Sequence, residues 1–346
     1  MSQRKTIQSL KEVDNLQVSG SRLFSADSEE ILEGWTTDIY FIKTREILRG
    51  MGLANRPVAA EVFAGQPGIL AGTAEVMHLL SGTGAEVWSL PEGEAFSAKE
   101  VIMRICGSYD SFGIYETALL GILASSSGWA TAAARVKESS GNRRVICFGA
   151  RHVHPAVAPV MERSAIVGGA DGCSCILGAR LAGKEPTGTV PHAVFLIVGD
   201  TIDVALAYKR LMPDGTPVVV LVDTFKDEAE EALRVAAALG GDLSAIRLDT
   251  ASERGGVTAG LVREVRARLD QAGHSHVQIL VSGGVTPERI PGLIEAGADA
   301  FGVGSYISGA RPIDMTMDIK EIEGKPIAKR GRIPGLMHSS RLARLL

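Results

Sequence analysis

The sequence predicts an α/β protein, mixed α+β over its first third and built from repeated βα units after that. Three observations carry this. From about Arg143 onward short apolar runs alternate with amphipathic stretches, and the runs at 245–248, 278–281 and 300–303 recur at about the 30-residue spacing of a βα unit. Those runs are continuous in Val, Ile and Leu, as parallel strands covered on both faces are. Forty glycines against fourteen prolines suit many tight βα turns. An α/β barrel and a doubly wound sheet both satisfy these observations.

In order along the chain, strands are expected at 58–63, 85–90 and 101–106, with helices at 69–80 and 114–137. The second helix is rich in Ala and Leu and holds Ser125-Ser126-Ser127-Gly128, small residues that allow close packing or a kink. Later strands are expected at 145–148, 218–222, 245–248, 278–281 and 300–303, and helices at 227–239, 257–272 and 287–296. After Ile307 the chain turns polar, basic and irregular, as in Lys325-Pro326-Ile327-Ala328-Lys329-Arg330. This divides the chain into 1–138, 139–310 and a tail, 311–346, expected to return to the first domain or to meet a second subunit.

Composition narrows the function. At 346 residues and 45% apolar, the chain can bury a sizeable core in two domains. A net charge of −4 argues against a nucleic-acid surface. The stretch Met1 to Asn15 lacks the apolar segment of a secretory signal, and no apolar run reaches the roughly 18 residues that span a bilayer. Cys106 and Cys147 sit in strand-like runs, as buried free thiols do. Cys173 and Cys175 are spaced C-x-C with no second pair to complete a zinc site. A soluble cytoplasmic protein without a resident metal is expected.

The sharpest local signal is Ile279 to Glu288, an apolar strand running into Ser282-Gly283-Gly284 and then Thr286-Pro287-Glu288. Thr286 suits a helix N-cap and Pro287 the first helical position, so a helix amino terminus should face the glycines and favour an anion. One unit later a second strand ends in Gly302-Val303-Gly304-Ser305. Two successive glycine-ended strands late in a barrel match the usual phosphate site on its carboxyl face; tight turns are the plainer reading. Two other strands end in Asp223 and Asp249, which N-capping would also explain, and another runs into Arg151-His152-Val153-His154. Carboxylates, an Arg/His cluster and a phosphate cradle together suit transfer at the anomeric carbon of a sugar phosphate, where oxocarbenium character develops.

At this point the residues resemble a known family. Glu92-Gly93-Glu94, Tyr115-Glu116-Thr117-Ala118-Leu119-Leu120, Ala132-Ala133-Ala134-Arg135-Val136, Phe148-Gly149-Ala150-Arg151 and Gly168-Gly169-Ala170-Asp171-Gly172-Cys173-Ser174 look like stretches of nicotinate phosphoribosyltransferases. So do Gly188-Thr189-Val190-Pro191-His192, Val222-Asp223-Thr224-Phe225, Ile246-Arg247-Leu248-Asp249, Ser282-Gly283-Gly284 and Phe301-Gly302-Val303-Gly304-Ser305. The matches run in order from about residue 35 to 307.

The resemblance implies an N-terminal α+β domain packed on an irregular TIM-like α/β barrel, in a homodimer with shared active sites. It implies nicotinate and phosphoribosyl pyrophosphate as substrates, nicotinate mononucleotide and pyrophosphate as products, and Mg²⁺ on the pyrophosphate. ATP hydrolysis is implied too, coupled through a transiently phosphorylated His192 with Asp223 or Asp249 orienting its other nitrogen. Asp38 and Tyr40 resemble a segment that crosses the dimer and stacks on the pyridine ring. Arg151 matches an arginine near the acceptor, Arg247 and Asp249 a pair at the ribose and phosphate, and Arg135 a contact to pyrophosphate or carboxylate.

The chain departs from the family pattern in three places. His152 stands where a second arginine is common, Cys173-Ser174-Cys175 replaces Thr-Ser-Asn, and Thr250-Ala251-Ser252 replaces Ser-Gly-Asp, removing a carboxylate. Ser174 occupies the position of an aspartate in nicotinamide-specific relatives, and a neutral group there favours an acid over an amide. Quinolinate phosphoribosyltransferase, which decarboxylates its acceptor and needs no ATP, is the nearest rival. A catalytically weak pyridine-nucleotide binding protein is the alternative from another class.

Overall fold

The computed structural model describes residues 6–346, so the first five residues of the polar amino-terminal stretch lie outside the described residues. Along the chain come α1 (Leu10–Asp14), α2 (Ser28–Leu32), α3 (Ile39–Gly50), β1 (Pro57–Ala64), β2 (Gly68–Ile69), α4 (Thr73–Leu80), β3 (Glu86–Ser89), β4 (Ala95–Phe96) and β5 (Val101–Ser108). A short α5 (Tyr109–Phe112) leads into the long α6 (Glu116–Ser140). Then follow β6 (Arg144–Cys147), α7 (Ala158–Val167), β7 (Gly172–Cys173), α8 (Ile176–Leu181), α9 (His192–Val198), α10 (Thr201–Leu211), β8 (Val218–Leu221), α11 (Glu228–Leu239) and β9 (Leu243–Leu248). The chain continues through α12 (Ala259–Gln271), β10 (Gln278–Val281), α13 (Ile290–Glu295), β11 (Ala300–Val303), α14 (Ser305–Ser308), β12 (Met315–Ile322), β13 (Lys325–Pro326) and β14 (Ala343–Arg344).

Two compact units result, one running to Thr131 and including Arg311–Leu346, the other Ala132–Ala310. The first is built on a six-stranded sheet in the order β13-β12-β1-β5-β3-β14. Its core gathers Val62, Leu70, Leu80, Val87, Ile102, Met103 and Ile105, none more than 1% exposed. The tail is not irregular: β12 lies antiparallel to β1 over seven partner pairs, from Val58↔Ile322 to Ala64↔Met315. In the sequence its alternation of Met317, Ile319 and Ile322 with Asp318, Lys320 and Glu321 is masked by charge. Several charges of the tail are matched inside the same unit. Asp318 takes Lys329 and Arg332, Glu94 and Glu100 take Arg341, and Glu86 takes Arg344.

The second unit carries a parallel sheet in the order β7-β6-β11-β10-β9-β8. Read from β8 this is 8-9-10-11-6-7, a cyclic order in which the first strand of the unit pairs with the last. A doubly wound sheet reverses direction at a switch point, so the cyclic order decides for a half-barrel. Among the described residues β7 and β8 are its edges. Strands β10 and β11 fall at the predicted residues, while β9 begins two residues early and β6 and β8 end one residue early. Asp227 caps α11 and Thr258 caps α12 through side-chain bonds to backbone N–H groups.

The predicted cap of the helix after β10 is corrected. Helix α13 starts at Ile290 with Arg289 before it and no side-chain cap, Pro287 to Arg289 form a turn, and the Thr286 hydroxyl bonds the Glu288 carboxylate. A hydroxyl next to a carboxylate two residues on serves that anion before a backbone N–H.

Candidate active site

Parallel strands point their carboxyl ends one way, so the loops after all six open on one face of the half-barrel. A pocket of about 420 Å³ lies there, lined from the loops after β6, β7, β9, β10 and β11 and from the segment preceding α9. It gathers Arg151, Ser174, His192, Arg247, Asp249, Ser282, Gly283, Gly284, Gly302, Gly304 and Ser305, candidates spread over more than 150 residues of sequence.

His192 opens α9 after Pro191, whose extended backbone turns the chain into the helix. Its Nε2 lies 3.0 Å from Asp223 Oδ1, and Asp223 Oδ2 accepts the Asp249 backbone N–H at 3.0 Å. The Asp223 side chain is 2% exposed whereas the histidine side chain is 41% exposed. A buried carboxylate therefore holds one ring nitrogen and leaves Nδ1 as the open one. Neither Asp223 nor Asp249 caps a helix.

Arg247 shows the opposite state. Its Nε donates to Ser282 Oγ, Nη1 to Thr189 Oγ1 and Nη2 to Asp249 Oδ2, each at 2.8 Å, and its guanidinium lies 5.2 Å from the centre of the Phe148 ring. Burial lowers its pKa from the usual arginine value, against the pull of Asp249 and Asp223. The fork is committed, so Arg247 shapes the pocket wall and neutralises Asp249.

Around the phosphate loops the glycines divide by job. Gly283 has φ +82° and Gly284 φ +63°, and a Cβ on Gly283 would fall 2.9 Å from Asp249 Oδ1. Gly302 is required by the Phe148 ring, into which a Cβ would run, and Gly304 by the His152 ring, 2.6 Å from where its Cβ would lie. Among the described residues the backbone N–H groups of Gly283, Gly284 and Gly304 donate to no carbonyl, which leaves them for an anion. Ser282 is corrected as a phosphate contact. Its N–H and hydroxyl both donate to the Leu248 carbonyl while its oxygen accepts from Arg247, and it is 2% exposed.

On the other side of the pocket, Arg151 is exposed and makes no ion pair among the described residues. His152 Nδ1 lies 3.2 Å from Ser308 Oγ, whose own proton goes to the Gly304 carbonyl. The Ser174 hydroxyl donates to Glu162 Oε1 at 3.0 Å, so its oxygen presents lone pairs to the pocket. Sequence reading missed Glu162, a fully buried carboxylate in α7. In the sequence it stands between Met161 and Arg163, and nothing in that context singles it out.

Besides Asp223, three candidates are not among the residues that line the pocket. Arg135 is exposed on α6 and does not line the pocket. Asp38 and Tyr40 belong to the first unit, where Asp38 accepts the Thr117 hydroxyl at 3.1 Å and Tyr40 is 54% exposed. No group of three or more His, Cys, Asp or Glu placed to hold a metal occurs among the described residues. No helix among them is long and apolar enough to cross a membrane.

Residues 38–127 match the model of the quinolinate phosphoribosyl transferase N-terminal domain, and residues 129–318 that of its C-terminal domain. The chain is 28% identical over 339 residues to a nicotinate phosphoribosyltransferase of Mycobacterium tuberculosis, covering 86% of this chain and 74% of that one. Over 272 residues it is 27% identical to a probable nicotinate-nucleotide pyrophosphorylase (carboxylating) of Archaeoglobus fulgidus, covering 77% and 96%. The solved nicotinate-nucleotide pyrophosphorylase of Pyrococcus furiosus matches with a TM-score of 0.87 and 43% identity, covering 91% of this chain and 82% of that one.

Proposed function

The chain belongs to the quinolinate phosphoribosyl transferase family, and from that premise we propose that this phosphoribosyltransferase of NAD biosynthesis takes nicotinate as its acceptor and couples ATP hydrolysis to the transfer. The observation that carries the reading is His192 held at Nε2 by Asp223, with its other nitrogen open at the pocket. Displacement of pyrophosphate by a pyridine nitrogen needs no protein nucleophile. An imidazole oriented by a buried carboxylate is what phosphoryl relay needs: Nδ1 takes the γ-phosphoryl group as ADP leaves, and water later removes it as phosphate.

Charge supports the monoanionic acceptor. Arg247 is neutralised by Asp249, so Arg151 is the open guanidinium at the pocket among the described residues. One carboxylate matches it; the two adjacent carboxylates of quinolinate would leave one uncompensated. Ser174 cannot meet that carboxylate as a donor while its proton lies on Glu162, so the contact falls to Arg151. Quinolinate remains the second reading, favoured by the 43% identity to the Pyrococcus furiosus enzyme.

In the transfer, the pyridine nitrogen bonds to C1′ of the ribose as the C1′–O bond breaks, and the electron pair leaves on pyrophosphate. Asp249 faces the positive charge that develops on the sugar, and the free N–H groups of Gly283, Gly284 and Gly304 receive phosphate oxygens. Mg²⁺ enters as the ion of the pyrophosphate substrate, with Asp249 the pocket carboxylate able to meet it. The proposal includes a homodimer in which Tyr40 and Asp38 are offered by a second copy, and Arg135 as a contact to the anionic substrate.

The test is product formation from phosphoribosyl pyrophosphate with nicotinate, nicotinamide or quinolinate in parallel, each with and without ATP. Nicotinate turnover raised by ATP is expected. Turnover of quinolinate alone transfers the chain to the decarboxylating reaction, and no turnover with any acceptor leaves a binding protein.

A further inference from the structure

Resting on the phosphoribosyltransferase reading of the pocket, we infer that Glu162 is a positioning residue that locks the acceptor side of the site through one buried carboxylate. Glu162 lies on α7, 0% exposed. Its Oε1 accepts the backbone N–H groups of Gly149 and Ala150, both at 3.0 Å, and Oε2 accepts the Cys175 N–H at 2.5 Å. The Ser174 hydroxyl completes the set at 3.0 Å from Oε1. The first two donors begin the loop that carries Arg151 and His152, and the other two belong to the loop that carries Ser174. One side chain thus ties together the loops after β6 and β7.

Three features make this more than a buried ion. All four donors are neutral, and among the described residues Glu162 makes no ion pair, so a charge-assisted network replaces a counter-ion. Packing admits nothing larger nearby: a Cβ on Gly178 would lie 3.3 Å from the Glu162 Cβ, and one on Gly149 would strike Met161 at 2.7 Å from its methyl carbon. The carboxylate also marks its surroundings. Burial pushes the Cys147 thiol well up, with Glu162 next in effect, and the same two causes push Cys173 up to about 12. These cysteines stay as neutral thiols against the carboxylate and do not compete for its donors.

An amide cannot substitute. Gln presents one acceptor and one NH2, and the NH2 would face backbone N–H groups on one of the two loops. Asp keeps the charge but is one methylene short, so it reaches one loop and not both. Both variants should disturb Arg151 and Ser174 more than the phosphate loops after β10 and β11, which Glu162 does not touch.

The experiment compares the wild-type enzyme with Glu162→Gln and Glu162→Asp in steady-state kinetics, varying nicotinate and phosphoribosyl pyrophosphate separately, with thermal unfolding alongside. The expected result is an acceptor KM raised at least tenfold and a phosphoribosyl pyrophosphate KM changed less than threefold. Equal rises in both constants, or no rise in either, overturn the positioning role. Should Glu162→Gln fail to fold, Glu162→Asp, which keeps the buried charge paired, carries the comparison. A wild type that turns over neither nicotinate nor quinolinate counts against the functional reading alone. The variants are then compared for calorimetric binding of nicotinate and of inorganic pyrophosphate, and unchanged nicotinate affinity rejects the inference.

Discussion

Gly283→Ala isolates the phosphate loop with a single methyl group. At φ +82° a side chain costs about 1–2 kcal/mol in backbone strain. The new Cβ would also stand 2.9 Å from Asp249 Oδ1, where ordinary contact begins at 3.4 Å, so something must shift by the difference, 0.5 Å. Asp249 cannot yield freely, because its Oδ2 is held by Arg247 at 2.8 Å and Arg247 is itself held by Ser282 and Thr189. The loop moves instead, and with it the Gly283 and Gly284 N–H groups. A charge-assisted bond to phosphate is worth about 1.5–3 kcal/mol, so weakening one by half raises the KM for phosphoribosyl pyrophosphate about four- to twelvefold. Initial rates at saturating nicotinate measure that constant, and thermal unfolding measures the strain. A variant that melts lower but keeps the wild-type KM would show Gly283 to be a turn residue only and refute the phosphate role.

The other predictions are independent of that loop. His192→Ala should abolish ATP hydrolysis and its stimulation of turnover while slow transfer persists; an unchanged ATPase rate removes the phosphoryl relay. Arg151→Ala should raise the nicotinate KM at least tenfold, about 1.4 kcal/mol, and an effect confined to phosphoribosyl pyrophosphate would reassign it to the other substrate. Glu116 titrates near 7 because burial disfavours its charge, so the folded state binds a proton that the unfolded state has already lost above its ordinary value of 4.5. Stability should therefore fall as pH rises from about 4.5 through 7. Glu116→Gln should flatten that slope in unfolding curves recorded across the range, and an unaltered slope would place its origin in another group.

Much of the half-barrel was readable because its signals are local. Parallel strands buried on both faces leave continuous apolar runs, and each run locates a strand to within two residues. What the runs cannot express is closure: the pairing of β6 with β11 joins segments about 150 residues apart, and only that cyclic order separates a barrel from a doubly wound sheet. Strand β12 was hidden for a related reason. Its outward residues, Asp318, Lys320 and Glu321, make it look like a polar tail, and two of them are buried because partners from the same unit neutralise or accept from them.

At the site, the motifs after the strands named most of the residues that line the pocket but not how their bonds are distributed. Ser282 and Gly283 are neighbours in one motif, yet the serine directs both its donors at the Leu248 carbonyl whereas the glycine keeps its N–H open. Arg151 and Arg247 are both arginines at strand ends, and among the described residues the first makes no ion pair while the second has three partners at 2.8 Å. Ser174 reads as a neutral contact for a carboxylate until Glu162 is seen to take its proton. In each case the residue's role follows from the direction of its hydrogen bonds, which a partner remote in sequence decides. Glu162 is the limiting case. It belongs to none of the motifs read in the sequence and does not line the pocket. Burying a carboxylate without a counter-ion is costly, so four donors must already be aimed at it, and those donors, three backbone N–H groups and the Ser174 hydroxyl, belong to the loops that make the site.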